Sequence, residues 1–148
     1  RKARRVRSVQ RMPLPTGWDA PRVADEYGKW LTRSSFSIIN VEKSKNGTLR
    51  FLWRWPEISL LELHPSDLTR HQQGRRVFYI RGGWLTRSRE EPHGRFEFRV
   101  VEEGKAIIAA IHEYAPRLPW FIYQFTQAKT HLLVMYGFGA HLRKKCGD

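Results

Sequence analysis

The chain of 148 residues has almost no cysteine. Cys146 stands alone, two residues from the end, so no internal disulfide can form and no thiolate cluster can hold zinc. Acidic residues are also scarce, with 14 Asp and Glu against 27 Lys and Arg. H-E-x-x-H, G-x-G-x-x-G, the Walker pattern and G-x-S-x-G are all missing. Metalloprotease, dinucleotide-binding, P-loop and serine-hydrolase chemistry therefore have no support, and neither a metal nor a cofactor is expected. No run of about 20 mostly apolar residues occurs, so a transmembrane helix is not expected. The start is basic and no apolar core of a leader follows it, so a secretory signal is not expected either. A cytoplasmic location is the expectation.

Aromatic residues are abundant, with six Trp and eight Phe, and 41% of the chain is hydrophobic. That is enough for a folded core and argues against global disorder. The length suits one domain. The net charge of +13 is unevenly placed: residues 1–11 carry +6, residues 143–148 carry +2, and the body between them carries +5. The ends read as two basic tails. Arg1, Lys2, Arg4, Arg5 and Arg7, with Lys144 and Lys145, are candidate contacts to phosphate on RNA or on an anionic membrane surface. They are equally what a solvated, solubilising tail looks like.

The pattern along the chain predicts an α+β protein. "RVRSVQRMPL", residues 5–14, alternates as a strand and stops at prolines. "WDAPRVADEYGKWL" predicts a helix over 19–31, with Asp19 as N-cap, Pro21 in the first turn and Ala20, Val23, Tyr27 and Trp30 or Leu31 on one face. "FSIINVEKSKNGTLRFLWRW" predicts a hairpin from Phe36 onward, turning at Asn46-Gly47. Strands follow at "ISLLELH" and "RRVFYIRGGWLTR", where the pair Gly82-Gly83 predicts a bulge or bend. After the loop "SREEPHG", the run "RFEFRVV" alternates cleanly, "EEGK" turns the chain, and "AIIAAIHEYA" is a last strand.

The segment 121–142 is amphipathic. Phe121, Phe125, Ala128, Leu132, Met135, Gly139 and Leu142 recur at helical spacing, with Thr126, Thr130, Gly137 and His141 opposite. Gln124, Gln127, Lys129 and His131 break its apolar character too often for a membrane span. It reads as a long helix packed on a sheet. "PRLP" stops the strand before it, and its two glycines would allow close approach to the sheet.

This order, carried by "GRFEFRVV" and "AIIAAIHEYAPRLPWFIYQFTQAKTHLLVM", resembles the helix-grip fold of the START / Bet v 1-like (SRPBCC, polyketide cyclase) superfamily. The resemblance covers residues 5–142. It implies a curved antiparallel sheet of about six to seven strands wrapped around the long C-terminal helix, with a cavity between them. The family usually places two short helices after its first strand, whereas residues 19–31 read as one. The family has no universal catalytic signature, so no catalytic residue is carried over.

The resemblance implies a binding module for a hydrophobic small molecule such as a lipid, an isoprenoid or an aromatic metabolite, more readily than an enzyme. Candidate cavity residues are Trp53, Trp55, Tyr79, Arg81, His112, Tyr114, Gln127 and His131. In the last strand, Ile108, Ala110, His112 and Tyr114 share one parity, so His112 and Tyr114 could place polar tips in an apolar pocket. The same residues could equally be hydrogen-bonded to backbone or water, and His131 could be a half-buried structural histidine. Two other functions stay open. "RFLWRWP", with Arg50 and Arg54 between aromatics, suits either base stacking by an RNA-binding sheet or snorkelling arginines on a half-buried strand. A cyclase or aromatase would need His112 or His131 as general acid or base. Bulky Phe51, Trp53, Trp55, Tyr79 and Phe98 could also fill the cavity.

Overall fold

The computed structural model describes residues 6–54, 57–69, 71–84, 94–114 and 127–146. Its elements run β1 (Val6–Pro13), α1 (Ala20–Ser34), β2 (Ile39–Lys43), β3 (Leu49–Trp53), β4 (Ile58–Pro65), β5 (Arg75–Gly82), β6 (Gly94–Val101), β7 (Ala106–Tyr114) and α2 (Gln127–Cys146). All seven strands form one antiparallel sheet in the order β1-β7-β6-β5-β4-β3-β2. Six strands follow one another as a meander. The first strand is then laid against the last, with Gln10 opposite Ala109.

Helix α1 begins as the sequence predicts. The Asp19 side chain accepts a hydrogen bond from Arg22 N at 3.0 Å, and Pro21 occupies the first turn. Its buried face is Ala20, Val23, Ala24, Tyr27 and Leu31. One helix joins β1 to β2, as the spacing predicts. Its end differs from expectation, and so does the next strand. Phe36 and Ser37 adopt positive φ of 54° and 64°, and Phe36 is 88% exposed. The Ser35 hydroxyl also takes the Ile39 N–H at 3.1 Å. These residues make a turn, so β2 starts at Ile39 rather than at Phe36.

The hairpin at Asn46-Gly47 is present, with Gly47 at φ 88° and the Ser44 N–H bound to the Thr48 carbonyl at 2.9 Å. The glycine pair also behaves as read. Register shifts between Glu62 and Leu63, which face Gly82 and Ile80, so Arg81 is the extra residue of a bulge. Gly83 then turns the chain at φ 108°, where a Cβ would lie 2.3 Å from the Leu60 carbonyl oxygen. No other residue fits that space.

Both helices pack on one face of the sheet. Tyr27 of α1 meets Phe138 of α2 edge-on at 5.1 Å, and Phe96 and Phe98 of β6 lie beneath Tyr27 at 6.0 Å each. Burial raises the Tyr27 phenol's pKa well above its ordinary value. Phe98, Ile107, Met135, Phe138 and Leu142 are the largest fully enclosed apolar side chains. Rings in T-shaped and offset contact hold the layer together beyond simple area burial.

The stripe of α2 matches the predicted one at Met135, Gly139 and Leu142, adds Phe138, and departs from it at Leu132. Met135, Phe138 and Leu142 are buried, whereas Leu132 is 42% exposed. The face read as opposite the core is also partly covered, because α1 lies against it. A Cβ on Gly137 would touch Trp30 at 3.0 Å, while one on Gly139 would meet Met12 of β1 at 3.4 Å. One glycine thus admits the sheet, as predicted, and the other admits α1. The helix runs on through Arg143, Lys144 and Lys145 to Cys146. Those cations complement the negative end of its dipole, and Cys146 is exposed. Phe121 and Phe125 lie outside the described residues.

Candidate functional site

The sheet has two faces of different chemistry, and the candidate residues divide between them. Strand β7 directs Ile107, Ala109 and Ile111 toward the helices, where all three join or flank the core. Alternation then sends Ile108, Ala110 and His112 to the outer face. On β5, Phe78 and Ile80 point inward, and Val77 and Tyr79 outward. The expectation that Tyr79, Arg81 and His112 line a cavity under the helix is therefore corrected. Tyr79 and His112 line the outer face. The Arg81 guanidinium lies 5.8 Å from the Tyr79 ring centre, on that same side.

Trp53 does share the helix side. It is the register partner of Ile39, which packs against the core, and it sits at the far rim, 40% exposed. Trp55 lies outside the described residues, as do Arg1, Lys2, Arg4 and Arg5. Tyr114 ends β7 opposite Val6, and Gln127 opens α2, but their side chains are likewise outside the described set. Arg7, Lys144 and Lys145 are exposed.

His131 is the candidate that the helix turns inward. It precedes Met135, Phe138 and Leu142 at spacings of four, three and four, so it continues their buried stripe by one turn toward the helix start. Its Nε2 is buried and, among the described residues, has no hydrogen-bond partner. Burial holds its pKa below the ordinary histidine value, which favours the neutral ring. Nearer the C-terminus of α2, the space between helix and sheet is filled by Phe138, Met135, Tyr27, Phe96 and Phe98. Filling by aromatics, foreseen for Phe51 and Phe98, is real over this half. Both are enclosed in the core.

Sequence reasoning missed Glu97. The run "RFEFR" reads as a strand with one solvated charged face, yet Glu97 is only 6% exposed. Arg75 Nε hydrogen-bonds its Oε2, Arg99 Nη2 approaches the same oxygen at 3.2 Å, and His112 Nε2 lies 3.5 Å from Oε1. Burial alone would raise the carboxyl pKa. The hydrogen bonds and charges of Arg75 and Arg99 outweigh it and hold the group below the usual range. A lone acid flanked at i ± 2 by arginines was the available signal. Its partner Arg75 comes from another strand and could not be read from the pattern.

His112 and His131 are thus on opposite faces of the sheet, so the two histidines considered for acid–base chemistry do not meet. Among the described residues, no cluster of His, Cys, Asp and Glu could hold a metal ion. Among the same residues, no helix is long and apolar enough to cross a membrane.

Solved structures share this architecture. Ginseng major latex-like protein 151 from Panax ginseng superposes with a TM-score of 0.53 at 11% identity, over 92% of this chain and 96% of that one. The fold is Bet v 1-like. A second crystal form of the ginseng protein gives a TM-score of 0.52 at 12% identity over the same shares. Identities this low tie the chain to the Bet v 1-like proteins by fold. By sequence, the chain is 25% identical over 140 residues to the auxiliary protein GraX of Staphylococcus aureus. That match takes in 95% of this chain and 44% of GraX, so the chain spans less than half the length of that relative. No protein-family model matches the chain.

Proposed function

We propose that the chain is a non-catalytic binding module for a hydrophobic small molecule, held between the inner sheet face and the N-terminal half of α2. The observation that carries this reading is His131, whose buried Nε2 lacks a hydrogen-bond partner among the described residues. A buried, unsatisfied polar atom costs about 1–3 kcal/mol. A ligand hydroxyl or carbonyl group brought against the ring would relieve that cost, with His131 as donor or acceptor according to its tautomer. The body of such a ligand would bind through apolar burial, worth about 25 cal/mol per Å² before ordering costs. The Bet v 1-like architecture supports the reading, since it encloses one face of a sheet beneath a helix.

The test is native mass spectrometry of the purified chain, followed by organic extraction and a titration with fluorescent fatty-acid and aromatic probes. A retained apolar mass, or saturable probe binding that His131→Leu weakens about tenfold, supports the reading. A clean apo mass together with no probe binding defeats it.

A further inference from the structure

The outer face of the sheet contains a concavity of about 440 Å³, on the side away from both helices. Its floor is Glu97, clamped by Arg75 and Arg99 as described above. Arg95 lies two residues before Glu97, opposite Tyr79 in register, and lines the same hollow. Among the described residues, the Arg95 side chain has no ion pair or hydrogen bond. Two guanidinium groups share the Glu97 carboxylate and the Arg95 guanidinium stands beside them, which leaves a surplus of positive charge in the hollow. Glu97 engages only part of the Arg75 and Arg99 forks, while orienting both. A guanidinium carries five N–H donors in a rigid plane, so a second anion can be taken without disturbing the first.

The rim of the same hollow is apolar. Val9 is 61% exposed and Leu68 is 84% exposed, and Tyr79 lines the same hollow. The volume suits a small organic ligand, since such sites span roughly 300–1,000 Å³.

We propose that this concavity binds a small organic phosphomonoester. Its phosphate group would sit against Arg95 and the outer N–H groups of Arg75 and Arg99. Its apolar or aromatic body would lie on Val9, Leu68 and Tyr79. Phosphate is favoured over carboxylate because a dianion answers the surplus of two positive charges, and because guanidinium forks match its oxygens bidentately. Holding the arginines in place beforehand through Glu97 lowers the ordering cost of binding.

The experiment is a calorimetric titration of the full chain with phenyl phosphate, inorganic phosphate and benzoate at low salt. Phenyl phosphate should bind saturably, and about tenfold more tightly than either of the others. Arg95→Gln should weaken it about tenfold, since it removes an exposed charge and no native ion pair. Val9→Asp, also exposed, should abolish binding by repulsion at the rim. His131→Leu should leave it unchanged, which separates this site from the one proposed beside His131. No saturable heat below about 10 mM phenyl phosphate overturns the proposal, as does an Arg95→Gln variant that binds normally. A single-stranded RNA oligomer that displaces phenyl phosphate, with an affinity that collapses as salt rises, also overturns it in favour of a nucleic-acid surface.

Discussion

The His141 imidazole Nε2 of α2 lies 3.1 Å from the Glu26 carboxylate of α1, and both side chains are largely covered at the seam between the helices. Burial would raise the Glu26 pKa. Hydrogen bonds to His141 and Arg33, with their charges, outweigh it and lower the value. The folded-state value is therefore below the unfolded one. The resulting stabilisation is fully present above the unfolded carboxyl pKa near 4.5 and is lost as pH falls through the lowered value. Glu26→Gln should flatten the acid limb of stability and cost about 1 kcal/mol near neutral pH, read from urea midpoints between pH 3 and 7. An acid limb identical to wild type would contradict the assignment.

The histidine on the buried stripe has the same sign with pH, for a different reason and in a higher window. Its folded pKa is depressed by burial, so between that value and about 6.5 the unfolded chain binds the extra proton. Stability should fall as pH drops through this window. His131→Leu should remove the slope and raise the urea midpoint at pH 5.5, because it deletes a buried polar atom without a partner. A lower midpoint would place a structural hydrogen bond on Nε2.

Two aromatic residues one half-turn apart on α2 should behave differently. Phe138 is fully enclosed, and Tyr136 is 77% exposed. Phe138→Ala should cost about 3–5 kcal/mol through lost burial and a cavity among the rings. Tyr136→Ser should stay within about 0.5 kcal/mol of wild type. Equal losses would mean that α2 is rotated from the orientation described.

The turn after β5 depends on the absence of a side chain. Gly83→Ala would drive a Cβ into the Leu60 carbonyl and impose a positive φ on alanine. A loss of roughly 2 kcal/mol or more is expected, measurable as a fall in thermal midpoint. Gly17→Ala, also at positive φ but with open space around it, should cost less.

The sequence makes the strands legible because turns and prolines punctuate them, and because "RFEFRVV" alternates without ambiguity. It makes the faces less legible. In β7 both parities are apolar, Ile107 and Ala109 on one side and Ile108 and Ala110 on the other, so His112 has no internal reference for inside and outside. The outer parity is apolar because it too lines a concavity, around Glu97. The helix stripe is read correctly at Met135, Gly139 and Leu142 and wrongly at Leu132. Leu132 is apolar yet exposed, and it takes the place on the wheel that the half-buried polar His131 occupies in the line through Met135, Phe138 and Leu142. The Glu26–His141 pair was unreadable, since it joins two helices from opposite ends of the chain.

The pairing of β1 with β7 fixes the order in which the molecule can be completed. Every other strand pair joins neighbours along the chain. This last one closes a loop on the order of a hundred residues, the kind of contact that slows folding most. During synthesis the first strand must therefore wait, unpaired, until β7 has left the ribosome. Arg7 and Arg11, on either side of Ser8, Val9 and Gln10, keep that waiting edge charged and poor at pairing with other chains.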